Sequence, residues 1–87
     1  MGGYMQKQKS KDNNPNKPFL ITIYHRPIDY PNTEYVARAF SAKGKPLNIV
    51  GEFNTLDYAR KYAQTLGCDT RFPRHRVDDP KIVESWL

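Results

Sequence analysis

Eighty-seven residues, of which 38% are apolar and 26% charged, predict one small domain with a modest core. The longest apolar run, Phe19 to Tyr24, has strand length and falls far short of the roughly 20 residues that a spanning helix needs. The net charge of +5 is unevenly placed: residues 1–18 hold four lysines against Asp12, whereas residues 19–87 hold ten basic against eight acidic side chains. The basic character therefore sits largely ahead of the domain, which weakens a nucleic-acid reading without removing it.

Residues 1–18 predict a disordered basic tail. Gln, Lys, Asn, Asp, Ser and Pro dominate after Met5, with no apolar periodicity to recover the entropy of ordering. The first residues predict no secretory signal, and Gln6 stands where an acylation motif wants Ser or Thr. A single cysteine, Cys68, forbids an internal disulfide and fits a cytoplasmic protein.

From residue 19 the pattern changes. Phe19 to Arg26 alternates at period two, with Phe19, Ile21 and Ile23 on one face, and predicts a strand. Pro27, Asp29, Pro31 and Asn32 punctuate a rigid turn, with Tyr30 expected to be mainly exposed on it. A second strand is expected from Glu34 to Ala42, its Tyr35, Ala37 and Ala39 facing inward where a helix approaches closely. Gly44 and Pro46 mark a tight turn, and Leu47 to Phe53 gives a third strand weakened by Gly51.

Asn54 to Gly67 predicts the helix. Asn54 is the expected N-cap, and Phe53 with Tyr58 has the spacing of a hydrophobic staple. Leu56, Ala59, Tyr62, Ala63 and Leu66 make the apolar stripe, Gly67 suits a left-handed C-terminal cap, and Arg60, Lys61 and Gln64 fall to solvent. Cys68 to Pro80 then reads as a charged loop, and Ile82 to Leu87 as a last strand with Trp86 in the core. The fold class expected is α+β: a small antiparallel sheet in the order β-β-β-α-β with one helix on a face.

Catalytic and metal chemistry find little support. Cys68, His25 and His75 lack the paired spacing of zinc ligands. No glycine loop could cradle a phosphate, Ser41 and Ser85 have no nucleophile-elbow glycines, and Cys68 lies where the helix dipole disfavours a thiolate. The sequence therefore predicts no catalytic residue, no metal and no cofactor, although an unrecognised small enzyme stays as a second alternative. The richest constellation is basic: Arg60, Lys61, Arg71, Arg74, His75 and Arg76 lie close together, opposed only by Asp69. Its bland explanation is a solvated face whose arginines pair with Asp78, Asp79 or Glu84.

Two stretches also carry a resemblance. His25-Arg26-Pro27-Ile28-Asp29-Tyr30-Pro31 and Asp78-Asp79-Pro80-Lys81-Ile82-Val83-Glu84-Ser85-Trp86-Leu87 together resemble short bacterial, bacteriophage and prophage proteins with no assigned activity, over about residues 19–87. The resemblance implies a mobile-element setting, in which small proteins act as stoichiometric binders of host machinery, anti-CRISPR-like inhibitors included. It implies no site residue. The expected function is a small non-catalytic binding protein for a host protein or nucleoprotein, using Arg26, Tyr30, Arg71, Arg74, His75 and Arg76. The alternative is direct nucleic-acid binding through the Arg71–Arg76 loop, the tail residues Lys7, Lys9 and Lys11, and Arg60 and Lys61. The sequence leaves the oligomeric state open.

Overall fold

The computed structural model describes residues 18–87. The expected tail, with Lys7, Lys9 and Lys11, lies outside the described residues. Five strands and one helix follow in chain order: β1 (Leu20–His25), β2 (Tyr35–Phe40), β3 (Pro46–Phe53), α1 (Leu56–Thr65), β4 (Arg71–Pro73) and β5 (Ile82–Trp86). They form a single antiparallel sheet of order β3-β2-β1-β5-β4, with α1 packed against β2 and β3. The α+β class is as the sequence indicates, with one strand added. Arg71-Phe72-Pro73, expected as loop, pairs with β5 as a short edge strand.

Alternation explains the two faces of the sheet. Ile21 and Ile23 of β1 lie opposite Ala39 and Ala37 of β2, and all four are buried. The small alanines let α1 approach, and its Ala59 and Ala63 complete the contact. Leu56, Tyr62 and Leu66 of the predicted stripe pack around this cluster. The other face carries a row running straight across the sheet: Val50, Arg38, Thr22, Ser85 and Phe72. Thr22 and Ser85 touch through their hydroxyls at 3.3 Å. Among the described residues no helix covers this second face, which makes it the surface on which a site could be built.

The helix ends differ instructively from expectation. Thr55, not Asn54, is the N-cap: its backbone is extended (φ −132°, ψ 154°) and its Oγ1 accepts the Tyr58 N–H at 3.2 Å. Moving the cap by one residue dissolves the staple expected between Phe53 and Tyr58. Phe53 instead stacks on Tyr62, with ring centroids 5.1 Å apart, and Tyr58 is exposed. The C-terminus closes as a Schellman motif, with Gly67 at φ 96°, Cys68 N–H on Ala63 O and Gly67 N–H on Gln64 O.

Gly51 sits under the Phe53–Tyr62 pair. A Cβ there would lie 2.6 Å from Phe53 Cε2 and 3.0 Å from Tyr62 Cε2. Neither ring can yield without disturbing the other. Gly51→Ala is therefore expected to lower the stability by about 1–3 kcal/mol, read as a shifted urea midpoint at unchanged slope.

A candidate binding cleft and a buried ion-pair cluster

Two loops converge at one end of the open face. The first, residues 26–34, leaves β1 through Arg26, a non-glycine residue at φ 49°. That left-handed backbone is costly for a residue with a Cβ, and it is held on two sides. Arg26 N–H donates to Glu34 O at 2.9 Å, and its guanidinium grips the Glu34 carboxylate at 2.8 and 3.1 Å. Hydrogen bonds from Arg26 and His25 hold the Glu34 carboxyl below its ordinary range. Two successive turns follow, Tyr30 N–H to Pro27 O and Thr33 N–H to Tyr30 O.

The second loop, residues 74–81, is pinned as firmly. Arg74 donates to the backbone carbonyls of Asp78 and Asp79, Asp78 accepts the His75 N–H, and Asp79 caps the Lys81 N–H at 2.8 Å. Asp79 thus acts as the turn initiator its place before Pro80 suggests. A backbone bond, His25 N–H to Lys81 O at 2.8 Å, ties the two loops together.

Between them lies a cleft of about 460 Å³. Tyr24 and Arg38 form its floor, Pro27, Ile28 and Asp29 one wall, and Asp79, Pro80 and Lys81 the other. Residues 27–29 and 79–81, far apart in the chain, therefore contribute to the same cavity. Arg38 lies between the rings of Tyr24 and Tyr30, at 5.5 and 5.4 Å from their centroids, and pairs with Asp29. Such cation–π contacts fix a guanidinium in one orientation. Burial, with Asp79, Asp29 and Asp78 nearby, raises the Tyr24 hydroxyl's pKa against the opposing pull of Arg38. The phenol therefore stays protonated and able to donate. Ile28, by contrast, stands 87% exposed at the lip.

None of the residues expected to contact a partner lines this cleft. Tyr30, expected on the surface, is half-buried because it stacks on Arg38. Arg26 and Arg74 hold the loops that form the walls. His75 and Arg76 are exposed on the second loop, and Arg71 lies on β4. Lys61 is exposed on α1 and lies over the Tyr58 ring at 5.9 Å. Sequence reasoning passed over Arg38 and Ile28. The alternation of β2 already put Arg38 on the face opposite the alanines, where an arginine in mid-strand needs partners.

The helix-covered face holds a second polar arrangement, and it corrects the place given to Arg60. Instead of facing solvent, Arg60 reaches from α1 to the Glu84 carboxylate of β5 with two bonds of 2.8 and 2.9 Å. Trp86 Nε1–H donates to the same carboxylate at 2.9 Å, and Arg71 stands 3.7 Å away. The Glu84 side chain is 2% exposed. Burial pushes its pKa up, but the bonds from Arg60 and Trp86 and the charges of Arg60 and Arg71 outweigh this and hold it below the ordinary 4.5. Arg60 and Arg71 are thus committed to an internal anion, as the bland explanation of the basic constellation anticipates. Among the described residues no group of three or more His, Cys, Asp or Glu side chains is placed to hold a metal, and no helix is long and apolar enough to cross a membrane.

Set against known proteins, the chain matches no family model, no curated sequence and no solved structure.

Proposed function

We propose that this chain is a small non-catalytic binding module that takes a protein partner in the cleft between its two loops. The observation that carries this is the fixed guanidinium of Arg38, held by two tyrosine rings and Asp29 beneath an exposed Ile28. Tyrosine and arginine anchors set in a pocket are the groups that dominate protein interfaces. Walls already ordered by Arg26, Arg74 and the His25–Lys81 bond lower the entropic cost of docking. In the mobile-element setting that the resemblance implies, the partner is a component of host machinery and the chain its stoichiometric binder.

A photo-crosslinker at Ile28 tests this, with one at the exposed helix residue Lys61 as the control. The expected result is a discrete protein adduct in lysate of the native host from position 28 and none from position 61. Ile28→Asp, which places a charge at the lip of the cleft, should then weaken binding of the identified protein by about 2 kcal/mol or more. An adduct from both positions, or equal binding by Ile28→Asp, would remove the cleft from consideration.

A further inference from the structure

The cleft between the two loops holds more hydrogen-bond donors than acceptors to meet them. The Arg38 guanidinium carries five N–H donors. Its Nη2 bonds to Asp29, while Nε and Nη1 donate to no atom among the described residues. The Tyr24 hydroxyl, which stays protonated, likewise has no acceptor among them. Lys81, on the facing wall, makes no ion pair there either. All three residues line the same cavity.

The two carboxylates of the lining leave this surplus in place. Asp79 Oδ1 is taken by the Lys81 N–H at 2.8 Å. Asp29 reaches Arg38 from its turn, and its side chain is 58% exposed against 28% for Arg38. Asp29 makes no second side-chain bond among the described residues. The guanidinium is therefore fixed by the rings of Tyr24 and Tyr30, whereas Asp29 can return to water at small cost, since an exposed ion pair is weak. The free chain thus already seats a carboxylate on Arg38, and its own loop supplies it. A net charge of +5 favours encounter with an acidic surface.

We infer that the protein partner enters this cleft with an acidic side chain, whose carboxylate displaces Asp29 from Arg38 and takes further bonds from Tyr24 and Lys81. An apolar neighbour in the same segment of the partner lies on Pro27, Ile28 and Pro80. Bonds from a fixed guanidinium to a carboxylate add geometric selectivity to attraction. Asp29 becomes an internal competitor that holds Arg38 in place until the partner arrives. The inference rests on the cleft being the protein-binding site and adds which group of the partner it reads.

The probe is the peptide acetyl-Gly-Leu-Glu-Leu-Gly-amide, titrated into the nitrogen-15-labelled full chain beside versions with Gln or Lys for the Glu, and beside inorganic phosphate. Salt is kept at about 0.15 M, where exposed charges more than about 8 Å apart are largely screened. The glutamate peptide should move the Arg38 Nε–H resonance together with the amides of Ile28, Asp29 and Lys81. The glutamine version should bind about tenfold more weakly, and Arg38→Gln should cost a similar factor. Lys81→Gln should weaken binding about threefold, and Asp29→Asn should tighten it about threefold by removing the competitor. Lys43→Gln, the same charge change on the β2–β3 turn, should leave it unchanged. Equal binding of the glutamate and glutamine peptides, tighter binding of the lysine one, or no gain in Asp29→Asn overturns the inference. So does phosphate binding at this site as well as the glutamate peptide, or no binding of that peptide at millimolar concentration. If the protein crosslinked from position 28 is weakened by Ile28→Asp but binds Arg38→Gln and Lys81→Gln like the parent, the cleft remains the binding site and the acidic anchor alone falls.

Discussion

Replacing Arg60 by alanine is expected to destabilise the domain by about 3 kcal/mol, a large share of what a module this small can hold. The reason lies less in the lost attraction than in what remains. Glu84 would be a carboxylate with a 2%-exposed side chain, retaining the Trp86 N–H but losing both bonds from Arg60. The figure sits at the low end for a broken buried pair because the Arg60 side chain is itself about a third exposed and Arg71 stands 3.7 Å from the same carboxylate. Adding Arg71→Ala should deepen the loss. Adding Glu84→Gln to Arg60→Ala should recover most of it, since the amide leaves no charge to bury. Urea unfolding of the four variants reads this directly.

The pH dependence gives the same cluster a second signature. In the parent protein the folded-state pKa of Glu84 lies below its ordinary value of 4.5. Its contribution is therefore complete above about 4.5 and is lost as the pH falls through the folded-state value. In Arg60→Ala the burial that already opposes ionisation prevails, and the Glu84 pKa moves up. The deficit of that variant should consequently shrink on acidification, as the stranded carboxylate takes up its proton. A deficit constant between pH 7 and pH 4 would show that Arg60 acts through packing alone.

Removing Trp86 is the other substitution with a large expected effect. Its ring is 5% exposed within the cluster of Ile21, Ile23, Ala37 and Ala39. Truncation to alanine leaves a cavity between sheet and helix and should cost about 3–5 kcal/mol. Trp86→Phe retains most of the apolar volume but withdraws the N–H from a charged acceptor, a loss of about 2 kcal/mol. The two effects separate in a cycle: Trp86→Phe and Arg60→Ala share the Glu84 carboxylate and should combine non-additively. Additive losses would mean that the indole N–H and the guanidinium do not act on one anion. Calorimetric or urea-derived stabilities of the single and double variants are sufficient.

Much of the architecture was legible in the sequence because it rests on periodicity. The strand of Ile21 and Ile23, the inward alanines of β2 and the stripe from Leu56 to Leu66 all follow from spacing alone. Gly67 likewise announced its cap. What escaped was set by contacts between distant residues. Arg71-Phe72-Pro73 is too short for any alternation to show and becomes a strand only because β5 offers an unpaired edge. The cap falls on Thr55 and not on Asn54, since it is the Thr55 hydroxyl that meets the Tyr58 N–H.

The burial of Glu84 was the consequential feature that the sequence reading did not draw, although it named Glu84 as a partner for the arginines. A signal for it existed. Trp86 was expected in the core, and a residue two positions earlier on the same strand shares its face. Glu84 therefore had to be buried beside the indole, with a cation supplied from elsewhere. The cleft was legible only in fragments. Tyr30 and Arg26 were noticed for their residue types, but their joint action around Arg38 depends on two loops far apart in the chain.

That separation bears on how the protein reaches its native state. β1, β2 and β3 follow one another through short turns and can zip up from local contacts, whereas β5 must insert beside β1, matching Thr22 with Ser85 across 63 positions. Ordering so long a loop is the slow event in a sheet of this kind, on a scale of milliseconds to seconds. The His25–Lys81 link and the wall of the cleft formed by Asp79, Pro80 and Lys81 come into being in that same late event. A partner that docks there consequently meets only chains that have completed folding, and immature ones pass it by.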